Sequence, residues 1–448
     1  TTTYSKLTFE YHHMEEFRRG GDLLNRPPHE ANVAEQTEHS INGGGLKFDY
    51  FSPNEKHRFN VFASAQHINR DSYYGGGQDL NAYGNTTDLN WMAGSQYVYS
   101  FGKCIFMPSD LTAGIEFNQD KLEDNMWGYN RTVDQKVNIG SAFLQNEWKN
   151  EHWGFLIGGR LDKHNLIDHV IFSPRANLRY NPTENINLRF SYSSGFRAPQ
   201  AFDEDLHVEN VGGNVAMVEL ADDLKEERSQ SLSASADIYH RFGAFQVNFL
   251  VEGFYTKLSD VFALTDGEVV DGILTRTRHN ASGAQVLGLT LEGKMAYLNK
   301  IQVQAGVTLQ QSHYSKPHIW NKEAPAVKKM MRTPNTYGYF TATYTPIKPL
   351  SIALSGTYTG SMLVPHEPVP GFLENPITVN TKDFFDIGLK AAYDFKLYKS
   401  MNLQLNAGIQ NIFNAYQDDF DKGADRDSGY IYGPSLPRSF FAGVKISY

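Results

Sequence analysis

The sequence predicts an all-β protein, a transmembrane antiparallel up-and-down β-barrel, and three observations carry that expectation. The C-terminal residues alternate, with Phe440, Ala442, Val444, Ile446 and Tyr448 on one face and Gly443, Lys445 and Ser447 on the other, as in a barrel-closing strand that ends on an aromatic residue. Similar runs of about ten residues recur along the chain, the length a tilted strand needs to cross a bilayer. Between them, very short turns alternate with long polar segments, as expected when one barrel end faces the periplasm and the other the outside.

Composition agrees with this class. Mean hydropathy is -0.46 over 448 residues, and no apolar run approaches the roughly 18 to 20 residues of a membrane-spanning helix. A strand barrel is hydrophilic on average because only every second residue meets lipid. Aromatics make up 13% of the chain, which favours extended structure with aromatic rims. A net charge of -9 argues against a nucleic-acid partner, since phosphate binding needs a basic face. The only cysteine, Cys104, can form no internal disulfide, and no Cys/His spacing suggests a metal site. The start, Thr1 to Leu7, lacks the basic and apolar regions of an export signal.

The clearest strands are neighbours. Leu287, Leu289, Leu291, Met295 and Tyr297 share one face, opposite Thr290, Glu292 and Lys294. After a turn at Asn299, Ile301, Val303, Ala305, Val307 and Leu309 oppose Gln302, Gln304, Thr308 and Gln310. Met401, Leu403, Leu405, Ala407 and Ile409 oppose Asn402, Gln404, Asn406 and Gln410 in the same way. Amides opposite an apolar face fit a polar lumen. A β-sandwich would use strands of about 5 to 6 residues and turn its apolar face inward.

Short turns are expected at Ser52–Lys56, Asn150–His152, Asn181–Glu184, Arg241–Gly243, Leu298–Lys300, Thr345–Pro349 and Lys396–Ser400. Long polar segments are expected at His12–Gln36, Asn69–Asn85, Asn118–Arg131, Arg197–Asp223, Leu258–Ser282, His313–Asn335, Met362–Thr378 and Phe413–Pro437, with one short connection, Asp162–Asp168, in a long slot. This gives about 18 strands, an even number that returns the chain to the end where it began.

Three stretches carry a family resemblance. SPRANLRYNPTENINLRFSYSSGFRAP (Ser173–Pro199), NAGIQNIFNAYQDDFD (Asn406–Asp421) and GPSLPRSFFAGVKISY (Gly433–Tyr448) resemble the barrel of TonB-dependent outer-membrane receptors, which import scarce bulky nutrients such as ferric siderophores, heme or cobalamin. The motif Gly195, Phe196, Arg197, Ala198, Pro199 reads physically as a strand end. Gly195 lets the strand top bend, Arg197 offers a planar donor fork to loop carboxylates, and Pro199 stops the ladder.

The resemblance implies a barrel of about 22 strands around a plug, the usual even-numbered arrangement. Residues 1–448 then correspond to its C-terminal part, with the plug and first strands outside this sequence. It also implies a metal-chelate cargo, a TonB complex acting through that plug, contact with lipid and lipopolysaccharide, and room for a surface lipoprotein. No cofactor and no catalytic residues are expected. A passive porin is the alternative, and an outer-membrane barrel enzyme a more distant one: no Gly-x-Ser-x-Gly or His-Glu-x-x-His stands in the sequence. An adhesin or assembly barrel would bring a passenger or soluble repeats.

Ligand candidates lie in the long segments. Heme receptors of the family carry a histidine between the Phe-Arg-Ala-Pro motif and an Asn-Pro-Asn-Leu element. Here His207 lies between that motif and Asp222, Asp223, Leu224 and Lys225, but a histidine beside Asp203, Glu204 and Asp205 is more often solvated or paired. Tyr73, Tyr74, Trp127, Tyr129, Tyr314, Trp320, Tyr430 and Tyr432 could stack on a flat chelate, or serve the interface girdle and loop packing. Gly75–Gly77 suggest a tip beside Tyr73 and Tyr74. Arg18 and Arg19 could meet an anionic chelate or lipopolysaccharide phosphates, with pairing to Glu15 and Glu16 as the default. His12 and His13, adjacent in an extended strand, point to opposite faces.

Overall fold

A strand with an apolar and a polar face needs an apolar surround on one side and water on the other, and here the apolar faces turn outward, repeating one arrangement around a wall. The computed structural model describes residues 4–211, 214–398, 400–423, 425–434 and 436–447. The wall begins with β1 (Ser5–Gly21), β2 (Val33–Phe51), β3 (His57–Gly76), β4 (Tyr83–Cys104), β5 (Met107–Met126), β6 (Arg131–Lys149), β7 (Trp153–His164), β8 (Ile171–Thr183) and β9 (Ile186–Arg197).

A loop carrying α1 (Asp203–Leu206), β10 (Glu209–Val211) and β11 (Asn214–Leu220) then leads to β12 (Glu227–Phe242) and β13 (Phe245–Ser259). A second loop, with β14 (Phe262–Val270) and β15 (Ile273–Asn280), leads to β16 (Ala284–Tyr297) and β17 (Ile301–His318). After the short β18 (Val327–Lys329) come β19 (Thr336–Ile347) and β20 (Leu350–Thr359). The hairpin β21 (Leu363–His366) and β22 (Ile377–Asn380) precedes β23 (Phe384–Tyr398), β24 (Met401–Gln410) and β25 (Ser439–Ser447).

Each wall strand pairs antiparallel with the next wall strand, so β9 meets β12, β13 meets β16, β17 meets β19 and β20 meets β23 across the inserted loops. With β18 set aside, 18 strands build the wall among the described residues, in line with the expected number of about 18.

The register fulfils the predicted alternation. Leu389, Ile409 and Phe440 stand side by side on the outer face, as do Tyr393, Leu405 and Val444. Val444 is 67% exposed and Phe440 73%, and a contiguous apolar belt bare to water would be unstable unless lipid covers it. On the inner face, Thr290 and Thr308 share a 3.0 Å hydrogen bond, and Gln304 donates to Tyr339 at 2.8 Å. The terminal-strand residues Phe440, Val444 and Ile446 all lie in the outward row; Tyr448 lies outside the described residues.

Turns at one end are tight. Gly243, with φ +60°, supplies the left-handed conformation that lets Phe242 and Phe245 pair across two residues. The aromatic girdle gathers at this end, where Trp153 stacks on Tyr180 at 4.2 Å and Phe106 on Trp148 at 5.5 Å. One further tight turn, between Cys104 and Met107, escaped the sequence reading because Phe101–Met107 carries no strong turn pair.

Three long polar segments are corrected. His12–Gln36, Asn69–Asn85 and Asn118–Arg131 are mostly ladder, and the connections are only 22–32, 77–82 and 127–130. Strands β1–β6 have 17 to 22 residues, about twice what hydrocarbon requires, so their upper halves stand in water. Backbone pairing needs no apolar face, and polar cross-strand contacts such as His13–Asn42 at 2.9 Å and Asn85–Asp71 at 2.8 Å decorate it. Gly75 and Gly76 are ladder residues, and only Gly77, φ +66°, turns.

At the motif, the ladder runs to Arg197 opposite Glu227 and stops before Pro199, as expected. Gly195 does not bend the strand top: it pairs with Ser229 and keeps an ordinary φ.

Among the described residues, buried apolar clusters sit only at the long-connection end. Examples are Ala31, Ala34, Tyr73 and Ala82, and Tyr74, Met126, Val208 and Met217.

Candidate functional site

At the tall end the loop after β9 turns inward, because Pro199 ends the ladder and three carboxylates follow it. Arg197 reaches Glu204 at 2.6 Å, and its guanidinium lies 3.9 Å from the Phe202 ring centre. The helix α1 then docks on the inner faces of β3 to β6. Arg70 donates to Asp203 at 2.7 Å, and Arg131 donates to the Asp205 carbonyl at 2.7 Å and the Val218 carbonyl at 3.2 Å. Asp124, fully buried, lies 3.6 Å from Arg70 and 3.3 Å from Arg131, and accepts the Thr86 hydroxyl at 2.6 Å. Arg278, from β15, closes the network on Asp205 and on Glu204 at 3.2 Å. Such buried charges are tolerable only because each is paired.

The two loops also share a sheet. β11 runs parallel to β15, with β10 and β14 on the flanks. Arg276 in β15 joins Asp266 at 2.9 Å, Glu209 at 3.2 Å and Glu367 at 3.1 Å, one carboxylate from each of three segments. Burial pushes the Glu367 carboxyl up to about 7, against the pull of Arg276.

Between α1 and the tops of β1–β3 lies a cavity of about 340 Å³, lined by Arg18, Arg19, Glu35, Thr37, His39, Arg70, Tyr74, Asp203 and His207. His207 meets Glu35 at 3.3 Å and the Tyr74 ring edge-on at 4.8 Å. The Glu35 hydrogen bond raises its pKa more than burial lowers it. Burial, then the charges of Arg70 and Arg18, lowers that of His39. The site therefore offers cations and aromatic edges, with no metal-holding group of three ligands among the described residues.

Residues 3–412 match the family described as TonB dependent receptor-like, beta-barrel. The chain belongs to this family. No curated protein sequence matches it. Among solved structures, the Ferric-Catecholate import receptor Fiu from K12 E. coli is similar at 14% identity and a TM-score of 0.70, covering 99% of this chain and 72% of that one. The siderophore receptor PirA from Acinetobacter baumannii is similar at 13% identity and a TM-score of 0.69, covering 99% and 68%. The FrpB iron transporter from Neisseria meningitidis gives 16% and 0.68, covering 98% and 69%. At these identities the likeness is one of fold. Family membership makes this TonB-dependent receptor-like barrel a transporter of the Gram-negative outer membrane and not an enzyme.

Of the residues singled out in the receptor sequence, His207, Tyr74 and Arg18 come together at the cavity, while Arg19 stands on the opposite, outward row of β1, across from Gln36. The others separate. Tyr73 is 1% exposed, donates to the Asp79 carbonyl at 2.7 Å and packs on Tyr83, so it holds a turn. Tyr129 donates to the Tyr74 carbonyl. Tyr314 packs on His318 at 4.8 Å, and Trp320 is buried. Tyr430 stacks on His366 at 3.8 Å, while Tyr432 donates to Asp419 at 2.5 Å. Trp127 alone in this set is largely bare, at 64%. Loop packing thus absorbs most of these rings.

Arg18 pairs with Glu16 at 2.9 Å, the local pairing expected for it. Sequence reasoning missed Arg70, Asp124, Arg131 and Arg278. They are far apart in the chain, and a buried charge inside a polar run has no local signature.

Proposed function

We propose that this receptor captures an anionic metal chelate at its outer end and imports it with energy transmitted through TonB. The supporting observation is the inward-turned loop of α1, which leaves the guanidiniums of Arg18 and Arg70 with His207 and Tyr74 around one cavity at the mouth of a wet lumen. The solved structures described above are named for ferric-catecholate import, siderophore reception and iron transport. A ferric siderophore is accordingly favoured over heme or cobalamin. His207, occupied by Glu35, acts as a charged lining group rather than as a heme ligand.

In this reading residues 1–448 are the barrel part of the receptor, and the inner rows of Thr290, Glu292, Lys294, Gln302, Gln304, Asn402 and Gln404 face a plug and its water. The test is uptake of radiolabelled ferric chelates by cells making the complete natural protein, with and without TonB. Accumulation of one chelate only when TonB is present is expected. TonB-independent passage of small solutes, with porin-like conductance in planar bilayers, would replace the proposal with passive diffusion.

A further inference from the structure

Away from the α1 cavity, the five long connections that follow β9 meet at one charged seam, with Glu367 at its centre. One oxygen of Glu367 meets Arg276 at 3.1 Å, and the other accepts the Asn321 amide at 2.9 Å. Its backbone N–H donates to Asp427 at 2.8 Å. Beside it, His366 meets Asp421 at 2.9 Å and stacks on Tyr430, and Asp421 accepts the Asp427 N–H at 3.2 Å. Arg332, held at φ +55°, donates its backbone N–H to the Leu363 carbonyl and its side chain to the Ile431 carbonyl, both at 2.7 Å. Glu209 and Asp266, on Arg276, bring in the two remaining connections.

The seam carries more carboxylates than its cations can match. Glu209, Asp266 and Glu367 share the single guanidinium of Arg276, and among the described residues no arginine or lysine pairs with Asp421 or Asp427. Arg426 lines the same small cavity as those two, but it donates to the Gly423 carbonyl at 3.0 Å. The Glu367 side chain is only 12% exposed and Asp427 is buried. Buried carboxylates short of cations hold a proton more firmly than carboxylates in water. Burial accordingly raises both, Glu367 to about 7.

We infer that this seam is an acid-tightened latch, which clasps the β10–β11–β15–β14 sheet and the connections 319–335, 360–383 and 411–438 into one lid and lets them part when Glu367 ionises. Released into water, Glu367 returns to the ordinary glutamate value of about 4.3. The latch is therefore firmest below that value and is lost as pH rises through about 7. The helix α1 keeps its own ties to Arg70 and Arg131, so the lid parts from a base that stays docked. The latch is independent of the cargo and of the importer reading.

The test is hydrogen exchange of the complete natural protein in lipid nanodiscs at pH 6 and pH 8, with rates corrected for intrinsic exchange. Protection of the lid segments is expected to fall together by about tenfold between the two conditions, as one carboxyl released over this interval requires, with the connection 77–82 unchanged. Glu367→Gln, neutral at both pH values, is expected to keep at pH 8 the protection seen at pH 6. Arg276→Met is expected to expose the lid segments at both.

Protection that does not change with pH, lid segments that loosen separately, or a Glu367→Gln lid that loosens as the natural one does would overturn the latch. The natural protein alone decides the first two outcomes, whatever the variants do to folding. Chelate uptake that needs TonB, in a protein whose lid ignores pH, would remove the latch and leave the importer standing.

Discussion

Strands β1–β6 and strands β7–β9 face the same lipid and the same water, yet the first group runs 17 to 22 residues and the second 12 or 13. The tall side satisfies its backbone above the membrane by continuing the ladder, and its connections at 77–82 and 127–130 are brief. The low side ends its ladder near the membrane, at Arg197 for β9, and spends its polar residues on loops that fold inward into a separate sheet. Polar sequence above a bilayer therefore specifies only that water is present. Pairing partners and ladder-ending residues such as Pro199 decide whether the chain rises or turns in. The network of Arg70, Asp124, Arg131, Asp205 and Arg278 forms where the two solutions meet.

The sharpest way to break the two sides apart is at that junction. Arg131→Met leaves the fully buried Asp124 with half its compensation and deletes two ties to the loop. A loss of about 3 to 5 kcal/mol in docking of residues 198–226 is expected. It would be read as new protease cleavage in that loop, with the wall still resistant to heat-induced unfolding in gels. Unchanged cleavage would show that the loop is held elsewhere.

Next in size is a contrast along one outer face. Val444→Arg, in the lipid belt, is expected to cost about 2 to 4 kcal/mol in folding into bilayers. Glu38→Arg lies on the outward row of the tall side, opposite Asp71, and is expected to stay within about 0.5 kcal/mol. Equal costs would mean that lipid reaches the top of β2.

The alternation that produced the barrel expectation was legible because lipid imposes it: Leu405 and Val444 obey a rule that holds at every second residue. His12–Gln36 carries no strand signal because both of its faces are wet, so period two vanishes while the ladder persists through Gly21 opposite Ala34. Arg197 was legible as a donor to loop carboxylates, and it finds Glu204. Arg70 was not, because its partners Asp124 and Asp203 are brought to it by register and by an inward loop. Tyr73 and Tyr430 misled as ligand contacts for a related reason: a loop folded onto itself consumes its own aromatic rings.

A smaller effect tests that last point. Tyr73→Phe deletes the bond to the Asp79 carbonyl and is expected to cost about 1 kcal/mol, with cargo affinity unchanged. A large loss of cargo binding without loss of stability would return Tyr73 to the ligand.

The smallest expected effect is one of pH. His207 has a raised pKa in the folded loop, chiefly through Glu35. Its contribution is therefore complete below the ordinary histidine pKa of about 6.5 and is lost as pH rises through the raised value. Hydrogen exchange at α1, corrected for intrinsic rates, should show slightly firmer docking at the acidic end, and His207→Gln should flatten that dependence.

The central claim is that the tight turns face the periplasm while the upper halves of β1–β6 stand outside the cell. Single cysteines introduced into a Cys104→Ser background, at Glu38→Cys, Val61→Cys and Lys56→Cys, can be exposed to a bulky maleimide that cannot cross the outer membrane. Labelling of Glu38→Cys on intact cells, with Lys56→Cys reached only after the membrane is opened and Val61→Cys shielded throughout, is the predicted result. Labelling of Lys56→Cys on intact cells, or shielding of Glu38→Cys like Val61→Cys, would contradict it.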